Sequence, residues 1–83
     1  KLNDELILTI TSKEQGYIAI RGIDKNNDLT DKYSQILKRF EFLPIDKVWL
    51  GKKNFKAFGN SMEDIVNSIV DAVTIIKTET EMN

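Results

Sequence analysis

The hydrophobic side chains of this chain change their spacing from every second residue to every third or fourth, which predicts a mixture of strands and helices. Glu5 to Thr11 alternates apolar and β-branched residues, and both of its faces are fairly apolar. Tyr17 to Ile23 alternates in the same way after a polar stretch, Ser12 to Gly16. Two alternating segments around a short polar stretch predict a β-hairpin.

Two helical stripes follow the hairpin. The first begins after a turn at Asp24 to Asp28, with Asp28 or Thr30 as the predicted cap, and it ends before Pro44. The second begins at Asn60 or Ser61, with acidic residues in its first turn. The first stripe consists of Leu29, Tyr33, Ile36, Leu37 and Phe40, and the second of Met62, Ile65, Val66, Ile69, Val70 and Val73.

Three further segments complete the expected order of elements. Lys47 to Lys52 predicts a short strand, and a turn then leads to a possible strand at Phe55 to Phe58. Val73 to Glu81 is rich in β-branched residues and predicts a last strand, although the second helix could instead run on to Lys77.

The fold class is therefore α+β, and the 83 residues form a single domain, residues 1–83. We expect one mostly antiparallel sheet with two helices on one face, in ββαβ(β)αβ order. From Tyr17 onward this order resembles that of ferredoxin-like domains. Glu5 to Thr11 adds an N-terminal strand for which the plain ferredoxin-like fold has no place.

Cysteine and histidine are both absent from the chain. Their absence excludes disulfides, Cys/His zinc sites, thiol nucleophiles and imidazole acid–base chemistry. We predict no cofactor, no resident metal and no catalytic residue.

Acidic residues near the first helix suggest two alternative metal sites. We rank both below a purely structural role of these acids in a turn and a helix cap. Asp24, Asn26 and Asp28 match the start of a calcium loop, but Leu29 and Gln35 stand where that loop needs Gly and a bidentate acid. The strand–Asp–helix–strand run from Tyr17 to Gly51 resembles the small ferredoxin-like nucleases of CRISPR spacer acquisition. That resemblance implies a metal-binding role for Asp24, and a small metal-dependent nuclease is our third-ranked hypothesis.

Basic and aromatic residues alternate in the middle of the chain, without an acid between Lys47 and Gly59. Rings stack on bases and ammonium groups pair with phosphates, so this pattern supplies the two ingredients of single-strand recognition. We rank a structural interpretation above it, in which Trp49 and one phenylalanine belong to the core while the lysines solvate the outer face and guard a sheet edge. The run Lys53 to Phe58 also resembles the aromatic strand of RNA-recognition-motif domains, and that resemblance implies nucleic-acid binding. The candidate patch for a nucleic acid or an acidic partner consists of Lys47, Trp49, Lys52, Lys53, Phe55 and Lys56.

Helices on one face of a sheet leave the apolar residues of its other face without cover. We expect a second copy of the chain to cover them, by packing of sheet faces or by pairing of strand edges. The candidate dimer face consists of Ile7, Tyr17, Ala19 and Ile23.

Our first-ranked function is a non-enzymatic binding protein that acts through protein–protein contacts as a homodimer. Size and composition are typical of small accessory, regulatory or inhibitor proteins of phages and plasmids, among which anti-CRISPR-like inhibitors are a guess about class. A nucleic-acid-binding ferredoxin-like or RRM-like module is the alternative. Short apolar runs predict a cytoplasmic protein that does not span a membrane. The net charge of −1 argues against a non-specific binder of polyanions.

Overall fold

The strands of the hairpin and a third strand form one antiparallel sheet in the order β1-β2-β3. A computed structural model of the chain describes residues 2–13 and 15–81, so Glu14 of the predicted turn lies outside the described residues. The elements are β1 (Leu6–Thr11), β2 (Tyr17–Gly22), α1 (Thr30–Arg39), β3 (Trp49–Asn54), a 3₁₀ turn (Phe55–Ala57) and α2 (Met62–Glu81). The α+β class, the hairpin and the predicted cap of α2 at Ser61, whose hydroxyl accepts the Asp64 N–H at 3.1 Å, are confirmed. The predicted cap of α1 at Asp28 or Thr30 is wrong, because Leu29 occupies the N-cap and its side chain makes no capping hydrogen bond.

The register of the sheet follows from two antiparallel pairings around β2. Thr9 lies opposite Ala19 in the β1–β2 pair, and Ala19 lies opposite Lys52 in the β2–β3 pair. A bulge shifts the second pairing between Ile20 and Arg21, because β3 there contains one extra residue, Leu50. The bulge places Leu50 in the core while its neighbour Trp49 lies opposite Arg21.

The predicted strand at Val73 to Glu81 is wrong, since α2 continues without a break to Glu81. The buried residues of this half of the helix are Ala72, Ile76 and Thr80, which are spaced by four and so share one helical face. β-branched residues lower helix propensity by only tenths of a kcal/mol each, and burial of one stripe outweighs that preference.

The possible strand at Phe55 to Phe58 is also wrong, because these residues enter a 3₁₀ turn whose Phe58 is buried in the core. The described residues therefore do not complete the ferredoxin-like order. The N-terminal strand is not an addition to that order, because it forms one edge of a three-stranded sheet.

The core contains side chains from all three strands and from both helices. Its most deeply buried large side chains are Leu6, Ile18, Ile20 and Ile76. Phe42 and Phe58 meet edge to face in the same cluster, with ring centroids 6.2 Å apart. Gly51 of β3 lies so close to Phe42 that an added Cβ would come within 2.8 Å of the phenylalanine Cβ.

A hydrogen-bonded group connects the start of β1 to α1. Tyr33 is buried, and its hydroxyl donates to Glu5 Oε1 at 2.7 Å, while the Lys32 ammonium donates to the same oxygen. These hydrogen bonds lower the pKa of Glu5, whereas burial and the contact with Glu5 raise the pKa of Tyr33.

Helix α1 ends in a Schellman turn. The N–H of Phe42 donates to the carbonyl of Leu37, and the N–H of Glu41 donates to that of Lys38, both at 2.9 Å. This turn requires a left-handed residue, and Glu41 supplies it with φ of 65°. Glu41 is thus held in a conformation that disfavours L side chains by about 1–2 kcal/mol.

We predict that Glu41→Gly raises the free energy of unfolding by about 0.5–1 kcal/mol, because glycine adopts positive φ without that penalty. Urea unfolding of both proteins measures the change. Gln35→Gly in the exposed middle of α1 is the control, and it should lower the stability by about 1 kcal/mol. A loss of stability in Glu41→Gly would contradict the prediction.

Candidate functional site

Nine side chains lie on the side of the sheet that faces away from the core. The register arranges them in three rows, because side chains of directly opposite residues leave the sheet on the same face. The rows are Ile7–Arg21–Trp49, Thr9–Ala19–Lys52 and Thr11–Tyr17–Asn54, and we call these nine residues the outer sheet face.

The central residue of the outer sheet face has a short side chain and is almost completely buried. Ala19, the smallest of the nine residues, is only 1% exposed between Thr9 and Lys52. The other residues are half-buried, except for the exposed Asn54. A second copy of the chain would therefore find little area to bury at Ala19 itself.

Cationic side chains lie over the two aromatic rings of this face. The Lys52 ammonium is 4.3 Å from the centroid of the Tyr17 ring, and the Arg21 guanidinium carbon is 5.3 Å from that of Trp49. Such contacts are worth about 0.5–1 kcal/mol at exposed sites. They also allow the aliphatic stems of Arg21 and Lys52 to cover apolar surface, so this face is not a bare apolar layer.

Charge is unevenly distributed between the sheet and α2. The three strands contain Arg21, Lys52 and Lys53 but no acidic residue. Helix α2 contains a single base, Lys77, and carries the acids Glu63, Asp64, Asp71, Glu79 and Glu81. The outer sheet face is therefore locally basic in a chain whose net charge is −1.

The structure divides the predicted lysine–aromatic patch. Trp49 and Lys52 lie on the outer sheet face, whereas Lys53 extends from the opposite side of β3. The Lys53 ammonium donates to the carbonyl of Phe40 at 2.7 Å and lies 4.4 Å from the ring centroid of Phe58. Lys53 thus satisfies a carbonyl at the end of α1.

The remaining members of that patch lie outside the sheet. Phe55 packs against the core, Lys56 is exposed in the 3₁₀ turn, and Lys47 is exposed ahead of β3. Sequence reasoning omitted Arg21, which the register places opposite Trp49. The sequence does contain this information, because Arg21 lies four residues after Tyr17 in the same strand and so leaves the sheet on the same face.

Three of the four candidate dimer residues, Ile7, Tyr17 and Ala19, belong to the outer sheet face. The fourth, Ile23, is exposed directly after β2, and its N–H donates to the carbonyl of Glu5 at 2.9 Å.

The acids of the two metal-dependent alternatives form turns, as the preferred structural interpretation predicts. Asp24 Oδ1 accepts the N–H of Asn26 at 2.9 Å, and Asp28 Oδ1 accepts that of Thr30 at 3.0 Å. Within residues 2–13 and 15–81, no group of three or more acidic side chains is arranged to hold a metal ion.

An apolar groove of about 440 Å³ lies between α1 and the segment that leads into β3. Leu37, Phe42, Leu43, Pro44 and Leu50 form its apolar lining, and Glu41 and Asp46 are among its polar residues. Leu43 and Ile45, both from this segment, are 70% and 54% exposed. Sequence reasoning missed the groove, because the segment shows no periodicity.

Asp46 connects the groove to the outer sheet face. Its Oδ1 accepts the backbone N–H groups of Val48 at 2.8 Å and Trp49 at 2.7 Å, which fixes the start of β3. These two hydrogen bonds hold the pKa of Asp46 below its usual value of 3.8.

No protein-family model matches the chain, and searches of curated proteins and of solved structures find no significant match. Among the described residues, no helix combines the length and the apolar character that crossing a membrane requires.

We predict that protonation of Asp46 destabilises the fold. Its lowered pKa means that its contribution is complete above pH 3.8 and is lost as the pH falls through the folded-state value. Asp46→Asn keeps an oxygen acceptor but does not titrate. Urea unfolding at neutral pH and at about pH 2.5 should therefore show a larger loss for the wild type than for Asp46→Asn. An equal loss in both proteins would contradict the prediction.

Proposed function

We propose that the chain is a non-enzymatic binding module whose outer sheet face binds single-stranded nucleic acid, with both helices on the core side of the sheet. One observation carries this proposal: the face combines two aromatic rings and two cations with no carboxylate. The sequence ranks a protein partner first. The register favours the nucleic acid, because it assembles Tyr17 and Arg21 with Trp49 and Lys52.

Stacking and phosphate pairing use different parts of the same face. A base that stacks on Tyr17 or Trp49 takes the place now held by a cation, and the displaced Lys52 or Arg21 then pairs with a phosphate. Base–aromatic stacking is worth about 1–3 kcal/mol per base, which exceeds the exposed cation–π contact that it replaces.

The spacing of the rings suits a strand that crosses the face. Tyr17 and Trp49 lie two rows apart, which corresponds to four residues, or about 13 Å, along the strands. The short, buried side chain of Ala19 lies between them and leaves space above the sheet. A duplex hides the faces of its bases in the stack, so a flat aromatic surface favours an unpaired strand.

The charge distribution predicts modest, salt-sensitive affinity. Only two cations lie on the outer sheet face, and the acidic residues of α2 repel a negatively charged strand. Each phosphate contact on a single strand changes log K by about −0.7 per unit of log salt.

The test is anisotropy of a labelled oligothymidine strand of about 12 nucleotides, titrated at low and at physiological salt. We expect binding at low salt that weakens steeply as salt rises. Trp49→Ala should weaken it about tenfold, and Lys52→Ala should reduce the salt slope by about 0.7. Lys56→Ala removes an exposed lysine outside the face and is the matched control. No binding at low salt, or an equal effect of Lys56→Ala and Lys52→Ala, would refute the proposal.

A protein partner is the second candidate, and the groove beside α1 favours it. Its lining is mainly apolar, and Leu43 and Ile45 extend apolar surface beyond it. Fully burying one such side chain in an interface contributes about 1.5–3 kcal/mol. This is the surface through which an accessory or inhibitor protein would bind a target.

For this candidate we expect the tagged chain to capture one protein in stoichiometric amount from its source cells. Leu43→Asp should abolish capture, because it places a charge in the apolar contact. Val70→Asp changes a residue of similar exposure on α2 and should leave capture intact. Capture that both variants reduce equally, or that Leu43→Asp leaves intact, would exclude the groove.

A further inference from the structure

The two outer edges of the sheet are covered to different extents. The outer edge of β3 pairs with Leu43, which exchanges two hydrogen bonds of 2.9 Å with Lys52. The N–H groups of Ile45 and Asp46 also donate to the carbonyl of Trp49, at 3.3 and 3.1 Å. This edge is therefore closed along much of its length.

The edge of β1 is closed only at its beginning. The N–H of Leu2 donates to the carbonyl of Leu6 at 2.9 Å, and Asn3 Oδ1 accepts the N–H of Leu6 at 2.9 Å. Beyond this point the alternation of an antiparallel strand directs the backbone groups of Leu8 and Ile10 away from β2. Within the described part of the chain, no residue pairs with them.

Strand β1 has none of the features that protect exposed edges. Its sequence, LILTIT, contains no charge and no proline. Natural edge strands usually carry Lys, Pro or a bulge, which prevent pairing with other strands. Ile10 is 61% exposed on this unprotected edge.

We propose that two copies of the chain pair through β1, antiparallel, about a two-fold axis at Thr9. In this register Leu8 lies opposite the partner's Ile10, and the two residues exchange two backbone hydrogen bonds. The two-fold symmetry repeats this pair, so the dimer gains four hydrogen bonds. These four bonds use the outward N–H and carbonyl groups of Leu8 and Ile10 in both copies.

Neighbouring registers fit less well. An axis at Leu8 would place Ile10 opposite the partner's Leu6, whose N–H and carbonyl are already bonded to Asn3 and Leu2. An axis at Ile10 would require Ser12, which lies beyond the end of β1. Only the axis at Thr9 uses the free groups of both copies and no others.

Side chains and charges favour a second copy as the occupant of this edge. The exposed Ile10 meets the partner's Leu8 on the core side of the sheet, so apolar surface covers apolar surface. The register also places Lys13, after β1, opposite the partner's Glu5, before β1. A two-fold axis perpendicular to the sheet leaves both outer sheet faces on the same side of a six-stranded sheet.

The absence of cysteine from the chain allows a direct test. Thr9 would face the partner's Thr9 as a non-hydrogen-bonded pair with Cα atoms about 4.5 Å apart, within the range for a disulfide. We expect Thr9→Cys to form a disulfide-linked dimer rapidly under mild oxidation. Thr11→Cys is the matched control, because it would face the partner's Ile7 and should cross-link slowly.

Sedimentation of the unlinked proteins provides an independent readout. The wild type should dimerise as its concentration rises. Ile10→Lys should weaken the dimer at least about tenfold, and Val70→Lys, at a position of similar exposure on α2, should not. A wild type that stays monomeric up to about 1 mM would overturn the proposal. Equal cross-linking rates for the two cysteine variants, or a dimer insensitive to Ile10→Lys, would also overturn it.

Discussion

The fold depends on burying one side of the central strand. Ile18 and Ile20 of β2 have no exposed surface, and the core around them contains Leu6 from β1, Leu50 from β3 and Ile76 from α2. A three-stranded sheet this short gains too little from its own hydrogen bonds to persist in water, so apolar cover is what makes it stable. The choice of side also decides which strand residues remain available for binding on the outer sheet face.

The sequence predicts much of this arrangement, because periodicity reports which side chains share a face. It identifies the hairpin, both helices and the third strand, and the expected Leu29, Tyr33 and Leu37 are buried at or along α1. It is wrong for half of the predicted stripe of α2, since Met62, Val66 and Val70 are exposed. It also fails at Val73 to Glu81, where β-branched composition and four-residue spacing disagree and tertiary burial decides in favour of the helix. Local preference is the weaker signal wherever the two conflict.

The candidate site is harder to predict, since it depends on register rather than on sequence proximity. Lys52 and Lys53 are adjacent in the chain, yet one lies over Tyr17 and the other hydrogen-bonds to Phe40. Arg21 and Trp49 are 28 positions apart, yet they are direct partners in the sheet. The bulge at Leu50 sets this pairing, and no composition or motif reveals a bulge of one residue.

Helix α2 gives the molecule an uneven resistance to opening. Its 20 residues span about 30 Å, close to the longest dimension of the chain, 36 Å. Its buried residues Ala72, Ile76 and Thr80 all lie in the second half, whereas Met62 and Val66 near its start are exposed. Ile65 and Ile69 of the first half are only half-buried against the core, so we expect amide hydrogens there to exchange faster than those around Ala72 and Ile76. The helix thus has a second half that the core holds firmly and a first half that it holds less firmly.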